Sequence, residues 1–273
     1  MNRLFTEAAL PASSHKTIAR VEHAHLRTAR TGQPHWFFAP LHYEANYSYP
    51  LLVWLHNAGG DERQLQRVMP LVSVRNYVGV GVRGPSEANR QSFSRKDFSR
   101  QSFSRKEFAA QGYDWPQEAA NIDAAEQCVL EAIDAVCGKF NVHRQRIFLA
   151  GYESGGSMAF RLALRNPQRF AGGLSIGGAF PDGQMPLAKL AQVRKFPLFM
   201  THCRDSRSYP VSRLCDDLKL FHAAGLSVTM RQYPCGDELT TQMLHDMDVW
   251  LMEQVTGVVH NENHQPAPLP DWN

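Results

Sequence analysis

Apolar runs at residues 35–38, 51–56, 77–83, 147–151, 172–177, 197–202 and 227–233 have the length and composition of strands. Between the third and fourth, Ile122, Ala125, Val129, Ile133 and Val136 recur three or four residues apart and make one apolar helical face. Pro116 suits the first turn of that helix, with Asp114 the expected N-cap and Gln117 three residues on. Further helices are expected at 62–72, 210–224 and 240–255, and another opens at 157–164. Strand–helix alternation of this kind predicts an α/β domain, with a mostly parallel sheet covered by helices on both faces. Ligands of such sheets sit beyond the C-terminal ends of the strands.

No linker interrupts the 273 residues, so the expectation is one large domain rather than two small ones. Its bounds are placed at 35–256, after an N-terminal extension at 1–34. The stretch 257–273, with His260-Asn261-Glu262-Asn263-His264-Gln265-Pro266, has little to bury and reads as a loose tail. A hydrophobic content of 43% suits a globular core, and a formal charge of +3 is too small to imply nucleic acid or a membrane as partner. No apolar run approaches membrane-spanning length. The start, Met1-Asn2-Arg3-Leu4-Phe5-Thr6-Glu7, has no apolar core of a secretory signal. Five cysteines without regular spacing suit reduced thiols in a cytoplasmic protein.

Gln91-Ser92-Phe93-Ser94-Arg95-Lys96-Asp97-Phe98 recurs as Gln101-Ser102-Phe103-Ser104-Arg105-Lys106-Glu107-Phe108. Basic residues interleaved with phenylalanines can contact single-stranded nucleic acid. Two copies are too few for a solenoid, and the favoured reading is a surface insertion at about 86–111. Deleting one ten-residue copy should change stability by less than about 1 kcal/mol, because loop-closure entropy varies slowly with length; a denaturant titration checks this.

The richest stretch is Gly151-Tyr152-Glu153-Ser154-Gly155-Gly156, which follows the strand Arg146-Ile147-Phe148-Leu149-Ala150 and precedes a helix. Strand, glycine turn and helix are the context of a G-x-S-x-G nucleophile elbow. Three other stretches fit the same frame. Pro50 to Gly60, ending His56-Asn57-Ala58-Gly59-Gly60, resembles the strand and oxyanion loop of α/β-hydrolases. The strand at 77–83 with Gly112-Tyr113-Asp114-Trp115 looks like their next strand and tryptophan motif. Residues 197–210 and 233–250 resemble the segments bearing the acid and the histidine. In matching order over about 35–255, the chain resembles the phospholipase/carboxylesterase group of α/β-hydrolases and its dienelactone-hydrolase-like relatives.

That resemblance implies a Ser–His–Asp esterase, yet the residues at the matching positions differ. The serine position holds Glu153, the acid position Ser206 with Asp205 one residue early, and the histidine position Asp237. His56, Asn57, Ala58 and Ser154 fall on the oxyanion loop or pocket. The resemblance with these substitutions implies a catalytically inactive or severely impaired homologue, needing no cofactor or metal, that retains a cleft for a small ester-like ligand or a protein partner. The alternative is an active hydrolase with Ser154 or Glu153 as nucleophile. Ser154, at a helix start, is expected to bond a free amide instead. A base is lacking: His245 lies eight residues beyond Asp237, while His202 and His56 are expected to be structural. Cys203 and Cys235 fall on neighbouring strand ends, without the spacing of a metal motif.

Overall fold

The computed structural model describes residues 23–27, 34–87 and 112–258. The duplicated segment, the beginning of the chain and the tail from 259 onward lie outside the described residues. One sheet contains eight strands in the order β1 (His23–Arg27), β2 (Pro34–Phe38), β4 (Val78–Val82), β3 (Tyr49–Leu55), β7 (Val142–Tyr152), β8 (Gly172–Ile176), β9 (Leu198–Cys203) and β10 (Val228–Tyr233). From β4 to β10 every pairing is parallel, whereas β2 runs antiparallel to both β1 and β4. All seven expected strands are therefore present. β1 adds an eighth from within the stretch set apart as an extension, so the sheet begins before residue 35.

Successive strand side chains go to opposite faces, and the two faces hold separate cores. Leu51, Val53 and Leu55 of β3, with Ile147 and Leu149 of β7, join a cluster on one side. There α2 (Ala119–Lys139) supplies Ile122, Ala125, Val129, Ile133 and Val136, the face expected from their spacing. The same cluster takes in α3 (Ser154–Arg165) and α5 (Val211–Ala224). Leu52 and Trp54, with Phe148 and Ala150, turn to the other side. They meet α1 (Gln64–Val72) and α6 (Thr241–Thr256), whose Met247, Trp250 and Leu251 are buried. Each such Leu, Val or Ile contributes about 1.5–3 kcal/mol when fully buried, so both helical layers are held firmly on the sheet.

Asp114 does not cap α2. The helix starts after Glu118, with no side-chain cap bond. Asp114 belongs to β6 (Tyr113–Asp114), which pairs with β5 (Ser86–Glu87) and keeps the chain extended. Gln117 likewise reaches away, its Oε1 accepting from the buried Arg161 Nε at 2.6 Å. A short α4 (Leu190–Val193) was not foreseen. Among the described residues, no helix is long and apolar enough to cross a membrane.

Candidate active-site cleft

The turn after β7 is forced by backbone packing. Gly151 lies in register with Leu55 of β3. A Cβ on Gly155 would stand 2.3 Å from the carbonyl oxygens of both Leu55 and His56, and one on Gly151 would stand 2.3 Å from the carbonyl of Gly155. Only glycine allows α3 to start this close to the central strands. Between them Glu153 is held at φ 49°, ψ −115°, a conformation that non-glycine residues rarely adopt. Its N–H donates to Ile176 O at 2.9 Å and its carbonyl accepts from Ser157 N at 3.0 Å, so the strain is fixed from β8 and from the first turn of α3. The Glu153 side chain is thus presented at the C-terminal edge of the sheet, as expected of a residue at the apex of an elbow.

The loop after β3 faces it. Trp54 Nε1 donates to Gln64 Oε1 at 2.8 Å, and Gln64 Nε2 donates to Asn57 Oδ1 at 2.8 Å. This chain fixes the Asn57 amide with its NH₂ free to donate, and that group bonds the Glu153 carboxyl. The loop is clasped from behind. Gly59 N donates to Tyr113 O at 2.8 Å, and Tyr113 N to Gly60 O at 2.9 Å. Buried Glu62 takes Arg83 Nε and Nη2, each at 2.6 Å, and the Arg83 guanidinium lies 4.5 Å over the Tyr113 ring. His56 is fully buried. Its Nε2 accepts from Gly84 N at 3.0 Å, so Nδ1 carries the proton and donates to Asn57 O at 2.7 Å. Burial pushes its pKa down, and the ring is a strut rather than a base.

Ser206 and Asp237, which follow β9 and β10, come together. Ser206 Oγ donates to Asp237 Oδ1. The same carboxylate accepts from Ser208 Oγ at 2.7 Å, Arg207 N at 3.0 Å and Ser208 N at 3.3 Å. Partial burial disfavours its charge, but the Ser206 and Ser208 hydroxyls and these two amides outweigh it and hold the Asp237 carboxyl below its ordinary range. Tyr152 links the halves of the cleft: its hydroxyl donates to the Asp237 carbonyl at 3.2 Å, with the Glu153 carboxyl a competing acceptor for the same proton. Tyr152, Gln64 and Ser208 were not foreseen. Gln64 and Ser208 carry no motif, and Tyr152 reads from sequence only as a variable residue of the glycine turn.

Ser154 does not bond a free amide. Its hydroxyl donates to Asp114 Oδ1 at 2.8 Å, because the β5–β6 ladder delivers that carboxylate beside the start of α3. The other two histidines weighed as a base have partners elsewhere. Buried His202 is held by Tyr209 O at 2.9 Å and Gln232 Nε2 at 3.2 Å. His245 lies on α6, where it acts on Asp248. Asp205 pairs with Arg204 at 3.3 Å. Among the described residues, no three His, Cys, Asp or Glu side chains are grouped to hold a metal ion.

Burial raises the Glu153 pKa; the Asn57 and Tyr152 hydrogen bonds oppose this, while the charges of Asp237 and Asp114 add to it. The folded protein therefore binds the Glu153 proton more tightly than the unfolded chain does. Stability from this residue is fully present at acid pH and declines as pH rises from the unfolded value of about 4.3 through the folded one. Glu153→Gln should melt at a higher temperature than the parent at pH 7, and the difference should vanish near pH 4; calorimetry at the two pH values checks it.

Comparison with known proteins places this geometry. The sequence model of the family described as Phospholipase/Carboxylesterase matches residues 50–254. The "Putative esterase NocK" of Nocardia uniformis subsp. tsuyamanensis is 27% identical over 136 residues, covering 49% of this chain and 34% of its own length. The chain thus spans about a third of the length of that curated relative. The Bacillus cereus carboxylesterase superposes with a TM-score of 0.58 at 17% identity, covering 82% of this chain and 96% of that one. Arabidopsis thaliana SOBER1 gives 0.58 at 16% identity, covering 76% and 100%. The S-formylglutathione hydrolase FrmB of Staphylococcus aureus gives 0.59 at 14%, covering 89% and 99%. The sheet order, its helical layers and these likenesses are those of the α/β-hydrolase fold.

Proposed function

The chain belongs to the phospholipase/carboxylesterase family, and on that footing we propose that it does not hydrolyse esters but keeps the family cleft to bind a small ester-like ligand or a protein partner. One observation carries this reading: the strained apex of the turn presents a carboxyl, Glu153, held by Asn57 and Tyr152. A carboxylate has no alkoxide to offer an acyl carbon. Attack by it would give an anhydride, whose hydrolysis needs a base to activate water. Asp237 is a poor base for that step, being ionised well below neutral pH with its oxygens already accepting from Ser206, Ser208 and Arg207. Ser206 in turn offers no carboxylate to orient an imidazole. Five cysteines without regular spacing support a reducing, cytoplasmic setting.

A second reading has one observation in its favour, the bond from Ser154 to Asp114. A carboxylate that accepts this hydroxyl could take its proton, but carboxylates as a class are weak bases for ionising a serine hydroxyl. A panel of activated esters, run beside a thermal-shift ligand screen, separates the readings. The expected result is a ligand-dependent rise in melting temperature, with turnover unchanged by Ser154→Ala or Glu153→Gln. Turnover abolished by Ser154→Ala would establish that serine as nucleophile. Turnover abolished by Glu153→Gln would establish a carboxylate mechanism.

A further inference from the structure

We propose that Cys203 and Cys235 are a redox-active dithiol, which a hydroperoxide converts into an intramolecular disulfide at the rim of the cleft. The pairing follows from the strand ends. Cys203 is the last residue of β9 and lies in register with Tyr233, the last residue of β10. Beyond them the backbones stay joined: Arg204 N donates to Tyr233 O at 2.9 Å and Asp205 N to Cys235 O at 3.0 Å. Cys203 lies in an apolar cluster against which Cys235 packs, so the two thiols face the same surroundings. The other cysteines stand elsewhere. Cys128 and Cys137 pack in the cluster on the opposite face of the sheet, and Cys215 is exposed on α5.

Exposure assigns the order of events. Cys235 is half-buried, whereas Cys203 is buried. Burial pushes the Cys203 thiol up, with the neighbouring Cys235 and Asp237 adding to the shift, so it stays protonated while Cys235 reacts. The Cys235 thiolate attacks the hydroperoxide, breaking the O–O bond; it becomes a sulfenic acid and the alcohol leaves with a proton. The sulfur of Cys203 then attacks that of Cys235, and the departing hydroxide takes the Cys203 proton as water. Two thiols and one hydroperoxide give one disulfide, one alcohol and one water. The new bond would pin the segments carrying Ser206 and Asp237 to each other, so the redox state would be felt where the cleft is built. This inference does not depend on whether the cleft hydrolyses anything.

The test uses the full chain treated with hydrogen peroxide, alkylated and peptide-mapped. The expected result is a peptide pair linked through Cys203 and Cys235, a mass loss of two hydrogens, and recovery of both thiols with dithiothreitol. Cys235→Ser should leave Cys203 unreacted, while Cys203→Ser, or Cys203→Ala if the hydroxyl is not tolerated in the core, should leave a sulfenic acid on Cys235 that dimedone traps. Recovery of Cys203 and Cys235 as separate alkylated thiols after peroxide, with Cys215 alone oxidised, would overturn the proposal. So would a linkage of either residue to any other cysteine.

Discussion

Combining Glu153→Ser, Ser206→Asp and Asp237→His should raise ester hydrolysis at least ~10²-fold over the unmodified chain, while each single change does little. The three positions already meet: Ser206 bonds Asp237, and Tyr152 joins Asp237 to Glu153. In the triple variant the introduced imidazole would face the introduced carboxylate on one side and the introduced hydroxyl on the other. A complete triad is worth on the order of 10⁶ in turnover, and a misplacement of about 1 Å costs ~10². The estimate of ~10² allows for side chains that this site was not built to hold. Single variants lack the unit, since an alkoxide without a base or an imidazole without an oriented tautomer gains nothing. A slow background in the parent would not contradict this, because an oxyanion loop alone leaves ~10³–10⁴ over water. Initial rates on short-chain activated esters decide it. A triple variant no faster than Glu153→Ala would break the correspondence of these positions with a triad.

Gly155→Ala should destabilise the fold by more than about 4 kcal/mol, the range reached when buried packing is overfilled and the backbone cannot yield. The added Cβ would meet two carbonyl oxygens at 2.3 Å, both belonging to the backbone at the end of β3 rather than to flexible side chains. Relief would require α3 to lift from the sheet, breaking its buried contacts through Met158, Phe160 and Leu162. Gly138→Ala is the contrasting case. Nothing lies within 4 Å of a Cβ there, and the residue sits inside α2, so that change should stabilise by about 0.5–1 kcal/mol. Paired denaturant titrations measure both. A Gly155→Ala chain as stable as its parent would mean that the turn can open.

The apolar runs located the strands because parallel strands buried on both faces cannot afford polar positions, and the register of Ile122 to Val136 located α2 because one helical face must be covered. The glycines of 151–156 located the turn, because no other residue permits that approach of helix to strand. Local signals failed where a partner distant in sequence decided the outcome. Asp114 has the chemistry of an N-cap, but pairing of Tyr113 and Asp114 with Ser86 and Glu87 drew it into a ladder beside Ser154. Ser154 has the chemistry of a helix-start cap, and a carboxylate from 40 residues earlier accepts its hydroxyl instead.

The sequence by itself determined the fold and the strand ends after which Glu153, Ser206 and Asp237 fall, since hydrophobic period, glycine placement and motif order are all properties of neighbours along the chain. Only the tertiary structure decided how those residues are used. It set the direction of the Asn57 amide through Gln64 and Trp54, closed the Asp237 carboxylate with Ser206, Ser208 and Arg207, and brought Cys203 and Cys235 to adjacent strand ends. The physical reason is that hydrogen-bond direction and proton affinity depend on which groups surround a side chain and how far water is excluded. Those surroundings come from five strand ends, β3, β7, β8, β9 and β10, that are far apart in sequence and adjacent only in the folded sheet.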